Sequence, residues 1–496
     1  MSLISVNNLS FGYDGSYDMV FENVNFQIDT NWKLGFIGRN GRGKTTFLNL
    51  LLNKYEYKGS IHANVKFEYF PYFVEDKSKD TIEIFRCICP EVMDWEIFCE
   101  LGQLEVEEDV LTRPFETLSN GEQTKVLLAA LFLASNAFLL IDEPTNHLDM
   151  AARHSVKEYL KRKSGFILVS HDRVLLDECV DHVLSINRTS IEIQKGNFSS
   201  WYQNKEQQDN YEFMQNNRLK KDIKRLSESA KRSSEWSDRV EKSKNGTRNS
   251  GLKLDKGFVG HKAAKMMKRS KNIEARQQSA IMEKAKLLHD IERRPSLELH
   301  PICHHQDKLL ELRHISLFYD ENEICKEVNF SVMQGERIAI SGKNGCGKSS
   351  ILKLICGRDM KYTGDIFTAS HLVISFVSQD TTGLSGTLQE YAYKRKIDVT
   401  LFMTILRKMD FSRSQFDKRI EDYSEGQKKK VLLAASLSEQ AHLYIWDEPL
   451  NYIDVLSRIQ IEELILAYQP TLIFVEHDTT FTSKVATKVI EVGASC

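Results

Sequence analysis

Four short sequence motifs occur twice in this chain of 496 residues, and the two copies are separated by a nearly constant distance of 304 to 306 residues. A repeat without large insertions means that the two halves share one fold. Each half alternates apolar, β-rich runs with amphipathic helical stretches, which predicts two α/β domains with parallel strands. The repeated motifs are marked by Lys44 and Lys348, Ser119 and Ser424, Glu143 and Glu448, and His171 and His477.

The segment between the repeats, from about residue 202 to 300, has a different composition. No proline lies between Pro144 and Pro295, and the segment is rich in Lys, Glu, Gln, Ala, Arg and Met, which favour helices. Two long helices are predicted, over 201–243 and 261–292, with a glycine-containing loop between them. The predicted domains are therefore a first α/β domain (1–201), a helical hairpin linker (202–306) and a second α/β domain (307–496).

Charge and hydropathy narrow the class of protein. No run of about 18 apolar residues occurs, and the chain does not begin with a basic and apolar leader, so we expect a cytoplasmic protein. The net charge of −2 hides a segment from Arg218 to Glu274 that has 18 Lys and Arg against 7 Asp and Glu. Such a segment suits the phosphate backbone of a nucleic acid. A pair of solvated basic helices would have the same composition.

The nine cysteines are scattered along the chain, as expected for reduced thiols in the cytosol. Cys87 with Cys89, and Cys303 with His304 and His305, would be metal ligands only if distant residues completed a tetrahedral site. We therefore expect no structural metal from these short clusters.

Residues 38–45 and 342–349 have the spacing of a phosphate-binding loop, and each follows a strand-like run and precedes a helix-like run. In such loops backbone N–H groups surround the phosphates, the lysine reaches the β and γ phosphates, and the Thr or Ser hydroxyl binds Mg²⁺. The sequence therefore predicts two sites for ATP and Mg²⁺. The predicted contacts are Gly38, Asn40, Gly41, Gly43, Lys44, Thr45 and Thr46 in the first loop, and Gly342, Asn344, Gly345, Gly347, Lys348, Ser349 and Ser350 in the second.

Each half also contains a buried strand that ends in two acids, Asp142-Glu143 and Asp447-Glu448. The aspartate would hold Mg²⁺, and the glutamate would polarise the water that attacks the γ-phosphate. Paired acids at the end of a strand are more often solvated caps. The shared spacing of 99 to 100 residues from the phosphate-loop lysine favours the catalytic interpretation.

Residues 118–123 and 423–427 resemble the signature motif of ABC ATPases. The resemblance implies two tandem ABC-type domains in which the signature of one closes over the ATP of the other. Lys44 and Glu143 would then work with Ser424, and Lys348 and Glu448 with Ser119. A serine and a helix N-terminus offer donors to the γ-phosphate. The predicted signature contacts are Ser119, Gly121 and Glu122, and Ser424, Gly426 and Gln427.

Three further pairs of equivalent positions, one member in each half, follow from the same resemblance. His171 and His477 match the switch histidine that contacts the γ-phosphate. Tyr13 and Tyr319 lie where the family stacks an aromatic ring on adenine, although each is equally plausible as a core residue. Gln379 matches the glutamine that helps to position metal and water, whereas Tyr72 occupies that place in the first half.

The second half departs from the first at 449–454, where Pro-Leu-Asn-Tyr-Ile-Asp replaces the Pro-Thr-Asn-His-Leu-Asp of 144–149. This difference and the missing first-half glutamine predict that the two sites hydrolyse ATP at unequal rates.

The whole chain resembles the ABC-F family of ribosome-acting factors, because two ABC domains are joined by a long basic helical hairpin and residues 142–149 match a specific family marker. The compact form with a long linker loop resembles the Lsa-type antibiotic resistance factors. The resemblance implies that the ATP-bound, closed protein enters the tRNA exit site of the bacterial ribosome. Its hairpin would extend along the RNA of the large subunit towards the peptidyl transferase centre and P-site tRNA.

Lincosamides, streptogramin A compounds and pleuromutilins would then be displaced. The predicted linker tip consists of Leu252, Lys253, Leu254, Lys256 and Phe258, and Phe258 is the candidate nearest to the drug site or the tRNA end. The same apolar residues would equally serve as a plug that holds the tip together.

Two other functions fit the same nucleotide chemistry. One is a housekeeping translation factor of the ABC-F family, and the other, less favoured, is the ATPase subunit of a transporter. We expect a monomer in which the two domains pair, without a membrane subunit.

Overall fold

A computed structural model of the chain describes residues 2–13, 19–134, 136–146, 148–186, 191–242, 297–319 and 322–493, together with single positions between 265 and 279. The chain forms two compact units, residues 1–201 with 294–496, and residues 202–293. Both halves of the repeat therefore belong to one unit. The exact limits of the three predicted domains remain a prediction.

The first half contains nine described strands and six described helices. The strands are β1 (Leu3–Phe11), β2 (Phe21–Asp29), β3 (Lys33–Ile37), β4 (Lys58–His62), β5 (Lys66–Phe70), β6 (Ala137–Asp142), β7 (Phe166–Val169), β8 (His182–Ile186) and β9 (Ile191–Lys195). The helices are α1 (Lys44–Leu51), α2 (Thr81–Ile88), α3 (Asp94–Gln103), α4 (Asn120–Leu133), α5 (Met150–Arg162) and α6 (Arg173–Cys179), with 3-10 turns at Glu108–Thr112 and Phe115–Thr117.

The second half repeats this order. Its strands are β10 (Lys308–Tyr319), β11 (Asn322–Met333), β12 (Arg337–Ser341), β13 (Lys361–Thr368), β14 (Ile374–Val377), β15 (Leu443–Asp447), β16 (Leu472–Val475) and β17 (Lys488–Glu491). Its helices, numbered after the long α7 (Phe198–Lys242), are α8 (Lys348–Ile355), α9 (Leu388–Arg395), α10 (Val399–Lys408), α11 (Arg413–Phe416), α12 (Glu425–Ser438), α13 (Val455–Tyr468) and α14 (Thr479–Val485), with a 3-10 turn at Ile420–Asp422.

Each half has a sheet with a parallel core, as the sequence predicts. The strand orders are β5-β6-β7-β3-β8-β9 and β14-β15-β16-β12-β17, and the pairs within β5-β6-β7-β3-β8 and within the second sheet are parallel. The strands that carry the motifs are buried on both faces, which suits a parallel sheet covered by helices. The predicted fold class, a repeated α/β nucleotide-binding fold with a long helical insert, is confirmed.

A small antiparallel sheet accompanies each parallel sheet, in the orders β2-β1-β4 and β11-β10-β13. The sequence pattern predicts only parallel strands, so the antiparallel sheets are a feature that it does not indicate. Their first strands alternate between buried and more exposed positions, which is the pattern of a sheet with one covered face.

The helix α7 is 45 residues long and therefore about 65–70 Å from end to end. It confirms the first arm predicted for the linker. The described positions between 265 and 279 are also helical, whereas the predicted loop lies outside the described residues. No described helix is long and apolar enough to cross a membrane.

Buried ion pairs join the two halves within their common unit. Arg173, at the start of α6, donates from Nη2 to Oε2 of Glu462 in α13 at 2.5 Å, and Lys484 Nζ lies 2.7 Å from Oε1 of the same carboxylate. Arg173 and Glu462 are 7% and 5% exposed. A second contact joins Arg42 of the first phosphate loop to Asp410, with 3.2 Å between Nη2 and Oδ2.

We expect Glu462→Gln to lower the free energy of unfolding by about 3–5 kcal/mol, because it removes the nearer carboxylate of a buried guanidinium, whose other acidic neighbour, Asp478, lies 4.0 Å away. The exposed pair of Glu298 with Lys408 is the matched control, and Glu298→Gln should cost no more than about 1 kcal/mol. Calorimetry of the full chain measures both. Equal losses of thermal stability would contradict the assigned role of the buried pair.

Candidate active sites

The first candidate site lies where the carboxyl ends of β3 and β6 bring two loops together. After β3 the chain turns through residues 38–43 into α1, and Gly43 has a φ of 92°, where a Cβ would lie 2.6 Å from Val20 Cγ1. Only glycine fits this turn without strain. A cavity of about 510 Å³ opens in front of the loop. Its described lining is Tyr13, Asn40, Gly41, Gly43, Lys44, Thr45, Thr46, Asp142, Glu143, Asn146, Val169, His171, Ser424, Glu425, Gly426 and Tyr452.

The first cavity thus combines predicted residues from both halves. Ser424 and Gly426 begin the helix α12 of the second half, yet they line the same space as Lys44 and Glu143. The pairing of Lys44 and Glu143 with Ser424, which the resemblance implies, therefore has the geometry of one composite site.

A hydrogen bond joins the first phosphate loop directly to the second half. Asn40 Nδ2 donates to the carbonyl oxygen of Tyr452 at 2.6 Å, and the backbone N–H of Asn40 lies 3.5 Å from Oδ2 of Asp454. Asp454 is fully buried and pairs with Lys430 at 3.0 Å. Burial opposes its ionisation, but Lys430 and Lys44 outweigh burial and hold the pKa of Asp454 far below its usual range.

Lys44 is buried, and its Nζ is held by the loop itself. It donates to Gly38 O at 2.5 Å and to Asn40 Oδ1 at 3.4 Å. Burial lowers the pKa of Lys44, although Asp454, Glu143 and Asp142 act in the opposite direction. The lysine is thus already positioned at the mouth of the loop, where a phosphate would need it.

The two predicted catalytic glutamates share an unusual backbone. Glu143 has a φ of 50° and Glu448 a φ of 46°, which is the left-handed region that non-glycine residues rarely adopt. The Glu143 N–H donates to Val169 O at 2.8 Å, and the Glu448 N–H donates to Val475 O at 3.0 Å. Strained backbone held in this way is concentrated at functional sites.

Glu143 has an environment that favours its neutral form. Burial first, and then the charge of Asp142, raise the pKa of Glu143 to about 8. His171 Nε2 lies 3.2 Å from its Oε1, but among the described residues that oxygen has no hydrogen-bond partner of good geometry. Burial also lowers the pKa of His171 well below its usual value, so the histidine is neutral.

The second candidate site has a cavity of about 370 Å³ in front of the loop that joins β12 to α8. It combines predicted residues of the second half with Asn120 and Arg153 of the first half. Its described lining is Asn120, Arg153, Ile324, Asn344, Gly345, Gly347, Lys348, Ser349, Ser350, Gln379, Glu448, Asn451 and His477.

Glu448 differs from Glu143 in its hydrogen bonds. Its Oε2 accepts from Gln379 Nε2 at 2.9 Å and from the Asn451 amide, and His477 Nε2 lies 3.7 Å from Oε1. Burial alone would raise the pKa of Glu448, but His477 and Lys429 lower it below its usual range. The surroundings of the second glutamate therefore orient it and favour its ionised form, whereas those of the first favour the neutral form.

The residues predicted to bind Mg²⁺ have suitable oxygen donors. In the second site Ser349 Oγ donates to Asp447 Oδ1 at 3.0 Å, and the other oxygen of Asp447 is buried without a partner among the described residues. Burial first, and then the charge of Glu448, raise the pKa of Asp447 to about 6, although Ser349 and Lys429 act in the opposite direction. In the first site Thr45 Oγ1 donates to Asp142 Oδ2 at 3.3 Å. Both pairs fit a magnesium ion, which takes carboxylate and hydroxyl oxygens.

Several predicted residues lie outside the described lining of the cavities. Ser119 caps α4 by accepting from the Glu122 N–H, and Glu122 accepts in return from the Ser119 N–H. Ser424 caps α12 in the same way, and Gln427 accepts in return from the Ser424 N–H. The predicted site residues that line neither cavity are Ser119, Gly121, Glu122, Gln427, Gly38, Gly342, Tyr319 and Asp447. The predicted linker tip lies outside the described residues.

The two predicted adenine-stacking tyrosines differ. Tyr13 lines the first cavity and shares a 2.7 Å hydrogen bond between its hydroxyl and Thr46 Oγ1. Tyr319 is 69% exposed.

Tyr72, which replaces the first-half glutamine, does not reach Glu143. Its hydroxyl donates to Glu68 Oε2 at 3.2 Å. Three residues earlier, the Tyr69 hydroxyl donates to Asp142 Oδ2 at 3.1 Å. Sequence reasoning missed Tyr69, although the alignment that pairs Tyr72 with Gln379 puts Tyr69 opposite Phe376. The available signal was the replacement of a phenylalanine by a tyrosine, whose hydroxyl can bind the predicted metal ligand Asp142 on the neighbouring strand.

Arg153 and Asn451 were also missed. Arg153 carries a cation from α5 into the second cavity, where its Nη1 donates to His477 O at 3.3 Å. Asn451 binds Glu448 directly. Asn451 lies in the run 449–454 after the second pair of acids, and Arg153 closely follows the equivalent run 144–149. The repeat therefore indicated this region.

The described residues contain no group of three or more His, Cys, Asp and Glu that could hold a metal ion. Cys89 is buried, and its thiol donates to Ala130 O at 3.2 Å. His304 Nε2 lies 2.9 Å from Ser370 O.

The ABC transporter family model matches residues 21–146 and 325–451, which together make up just over half of the chain. Both matches contain a phosphate loop, a signature motif and a pair of acids. The chain therefore belongs to the ABC transporter family, and it is an ATP-hydrolysing ABC ATPase.

Relatives resemble the chain over its whole length. The ribosome protection protein VmlR of Bacillus subtilis (strain 168) is 27% identical over 97% of this chain and 85% of its own length. ABC transporter F family member 2 of Arabidopsis thaliana is 23% identical over 99% of this chain and 76% of its own length. The predicted resemblance to ABC-F proteins is confirmed.

Solved structures show the same tandem fold. The archaeal ribosome recycling factor aABCE1, crystallised with the ribosomal stalk protein aP1, has a TM-score of 0.62 and 17% identity, and the match covers 98% of this chain and 87% of that one. The RNase-L inhibitor has a TM-score of 0.61 with the same coverage. At this identity the likeness shows the fold alone.

We expect Glu143→Gln and Glu448→Gln to shift thermal stability in opposite directions in the nucleotide-free chain. A carboxyl with a raised pKa destabilises the fold increasingly as pH rises from its unfolded value, 4.5, to its folded value of about 8. Glu143→Gln removes that penalty, so it should melt higher than wild type, with the gap growing towards pH 8. An advantage of about 1 kcal/mol or more at pH 8 is expected.

Glu448 has a lowered pKa, so its ionised form stabilises the fold at neutral pH, and this contribution is lost as pH falls below 4.5. Glu448→Gln should therefore melt lower than wild type at pH 7, and the gap should close in acid. Calorimetric melting from about pH 3 to pH 8 measures both effects. Identical pH profiles for the two variants would contradict the difference between the sites.

We also expect Gly426→Ala to weaken the contact between the halves. A Cβ at this position would lie 2.6 Å from Tyr452 O of the same half and 3.0 Å from Asn40 Nδ2 of the other half, so the Asn40–Tyr452 hydrogen bond between the halves must shift. The cost should be about 1–3 kcal/mol of stability, together with slower ATP hydrolysis. Gly121→Ala is the matched control for stability, because its Cβ would have no neighbour closer than 3.7 Å. Equal melting temperatures for the two variants would show that the close approach has no effect.

Proposed function

We propose that this ABC ATPase is an ABC-F ribosome protection factor, which binds the bacterial ribosome in its ATP-bound closed form and confers resistance to lincosamide, streptogramin A and pleuromutilin antibiotics. The observation that carries the proposal is the long helical insert between two complete ATPase halves. Its first arm, α7, has 45 residues, and the segment from Arg218 to Glu274 has 18 basic against 7 acidic residues. The full-length similarity to a ribosome protection protein supports the same assignment.

ATP is the substrate of both composite sites. Lys44 would bind the β and γ phosphates of the first ATP, with Ser424 and the N-terminus of α12 on the opposite side. Lys348 would do the same in the second site, with Ser119 and the α4 N-terminus opposite. The lysine cations and the helix N-termini would stabilise the negative charge that develops on the phosphate oxygens during phosphoryl transfer. Thr45 with Asp142, and Ser349 with Asp447, would hold Mg²⁺, which neutralises phosphate charge when bound.

Glu448 would orient the attacking water in the second site. It is ionised, and Gln379, Asn451 and His477 surround its two oxygens. Glu143 would have the same role in the first site, but its Oε1 has no hydrogen-bond partner among the described residues. The second site, whose glutamate is oriented by three polar neighbours, would therefore hydrolyse faster.

The basic insert would bind RNA of the large ribosomal subunit near the tRNA exit site and the peptidyl transferase centre, beside P-site tRNA. Phosphate contacts of Lys and Arg supply affinity that does not depend on base sequence, and this affinity falls with salt. Phe258, with Leu252, Lys253, Leu254 and Lys256, would form the end nearest to the drug. Such a factor works in the cytoplasm, as a monomer whose two halves pair with each other.

A housekeeping translation factor is the second candidate. Whole-length similarity also extends to a plant ABC-F family member and, at 26% identity over 98% of this chain, to the ATP-binding protein Uup of Buchnera aphidicola. Neither of these relatives is named as a ribosome protection protein. The two candidates share the nucleotide chemistry and differ in what the insert does on the ribosome.

The test is the drug susceptibility of a sensitive bacterium that expresses this chain. We expect the wild type to raise the inhibitory concentrations of a lincosamide and a pleuromutilin several-fold. The Glu143→Gln, Glu448→Gln double variant, produced at the same level, should give no protection because it cannot cycle.

Glu298→Gln, an exposed position outside both sites, serves as the folded control and should protect like the wild type. Well-expressed wild type without any protection would overturn the resistance assignment. Growth arrest by the double variant alone would then favour the housekeeping factor.

A further inference from the structure

Lys429 lies in α12, a helix that takes part in both candidate ATP sites. The N-terminus of α12 carries Ser424 and Gly426, which line the first cavity together with Lys44. The body of the same helix packs inside the second half, beside the strand β15 that ends at Asp447. Lys429 is five residues after Ser424, a little more than one helical turn away.

The side chain of Lys429 is 1% exposed, and its ammonium group is fully occupied. Nζ donates to Ser378 O at 2.9 Å, to Gln379 O at 3.3 Å and to Asp447 O at 3.2 Å. A lysine ammonium has three N–H donors, so each donor has a backbone carbonyl. A buried cation held in this way fixes the relative position of the groups that it binds.

The three carbonyls belong to the catalytic surroundings of the second site. Gln379 donates through its side chain to Glu448, Ser378 precedes Gln379, and Asp447 is the predicted metal ligand next to Glu448. Lys429 therefore holds together the loop that orients Glu448 and the strand end that carries Glu448. It does so from a helix whose first turn lines the other site.

The equivalent position in the first half lacks this connection. Thr124 follows Ser119 by the same five residues, and its hydroxyl donates to Asn120 O within its own helix at 2.8 Å. A threonine is too short to reach the loop that Lys429 binds. In the corresponding loop of the first half, Tyr72 takes the place of the glutamine, and its hydroxyl donates to Glu68. Of the two signature helices, α12 alone has a buried cation tied to the catalytic loop of its own half.

We propose that Lys429 is a positioning residue that couples the first ATP site to hydrolysis in the second. A shift of α12 as its N-terminus closes on nucleotide would be transmitted through Nζ to the backbone of Gln379 and Asp447, and hence to Glu448. For binding free energies such coupling is reciprocal between the two sites. This inference rests on the proposed pairing of Ser424 with Lys44 in one composite site.

The alternative is that Lys429 only supports the core of the second half. A purely structural residue would affect folding and both sites together. A positioning residue would change the turnover of the second site while leaving ATP affinity and the first site nearly unchanged. The two roles therefore differ in which site and which kinetic constant respond.

The experiment measures ATP hydrolysis by the full chain in two backgrounds. In Glu143→Gln only the second site should turn over, and in Glu448→Gln only the first. Lys429→Met should lower kcat about tenfold in the Glu143→Gln background, with less than about threefold change in KM, since the loss is one of orientation. In the Glu448→Gln background kcat should change less than about twofold.

Two further variants control for packing. Lys429→Arg retains a cation with N–H donors and should restore most of the second-site kcat. Thr124→Met places the same side chain at the equivalent position of the first half and should leave both backgrounds unchanged. Should Lys429→Met fail to fold by calorimetry, Lys429→Gln replaces it under the same criteria. An equal loss in both backgrounds, or no loss in the second site, would overturn the positioning role.

A double-mutant cycle tests the coupling itself. Ser424→Ala should lower second-site hydrolysis several-fold when Lys429 is present and less than about twofold when it is replaced by Met. An equal effect with and without Lys429 would refute the coupling. Were Ser424→Ala to leave first-site hydrolysis unchanged in the Glu448→Gln background, the composite pairing itself would fail, and the proposed coupling with it.

Discussion

The buried carboxylate of Asp454 lies where the two halves of the ATPase meet. Its Oδ2 accepts from Lys430 Nζ at 3.0 Å and from Ser457 Oγ at 2.9 Å, and the Ser457 N–H donates to Oδ1 at 2.9 Å. The same carboxylate faces the backbone N–H of Asn40 in the other half. It thus caps α13, is tied to the signature helix α12, and touches the phosphate loop of the first site. Removing this carboxylate would leave the buried Lys430 ammonium with the Met409 carbonyl but without its partner charge, which is costly in a protein interior.

The two ATP sites descend from one repeated pattern, yet their electrostatics differ. In the second site Glu448 has three polar neighbours and remains ionised, whereas in the first site Glu143 has an oxygen without a hydrogen-bond partner among the described residues and a raised pKa. Tyr69 and Tyr72 add to the difference, because hydroxyls that donate to Asp142 and Glu68 stand where the second half has Phe376 and Gln379. A duplicated fold can therefore hold two sites of unequal chemistry without any change in its sheets or helices. That freedom arises because the strands are fixed by buried apolar residues, while the site residues lie on the loops at their ends.

Lys429 and Arg153 illustrate a second consequence of duplication. Each half contributes residues to its own site and to the site of its partner half, so a single helix can belong to both. Arg153 of α5 enters the second cavity, and α12 combines a first turn in one cavity with a buried lysine beside the other. Communication between the sites then needs only a rigid helix and a few hydrogen bonds. Most of the long α7, by contrast, belongs to a separate compact unit.

The sequence by itself determined the repeat, the α/β class of each half, the phosphate loops, the paired acids and the first arm of the linker. These features depend on local spacing and periodicity, which a chain carries wherever it folds. It also identified Tyr72 as the departure of the first half, and Glu143 and Glu448 as equivalent residues. Only the tertiary structure decided that these two glutamates differ in ionisation, that Tyr69 holds Asp142, and that Lys429 joins two sites. Burial, hydrogen-bond partners and distances between remote residues set those properties, and none of them is encoded in the spacing of a motif.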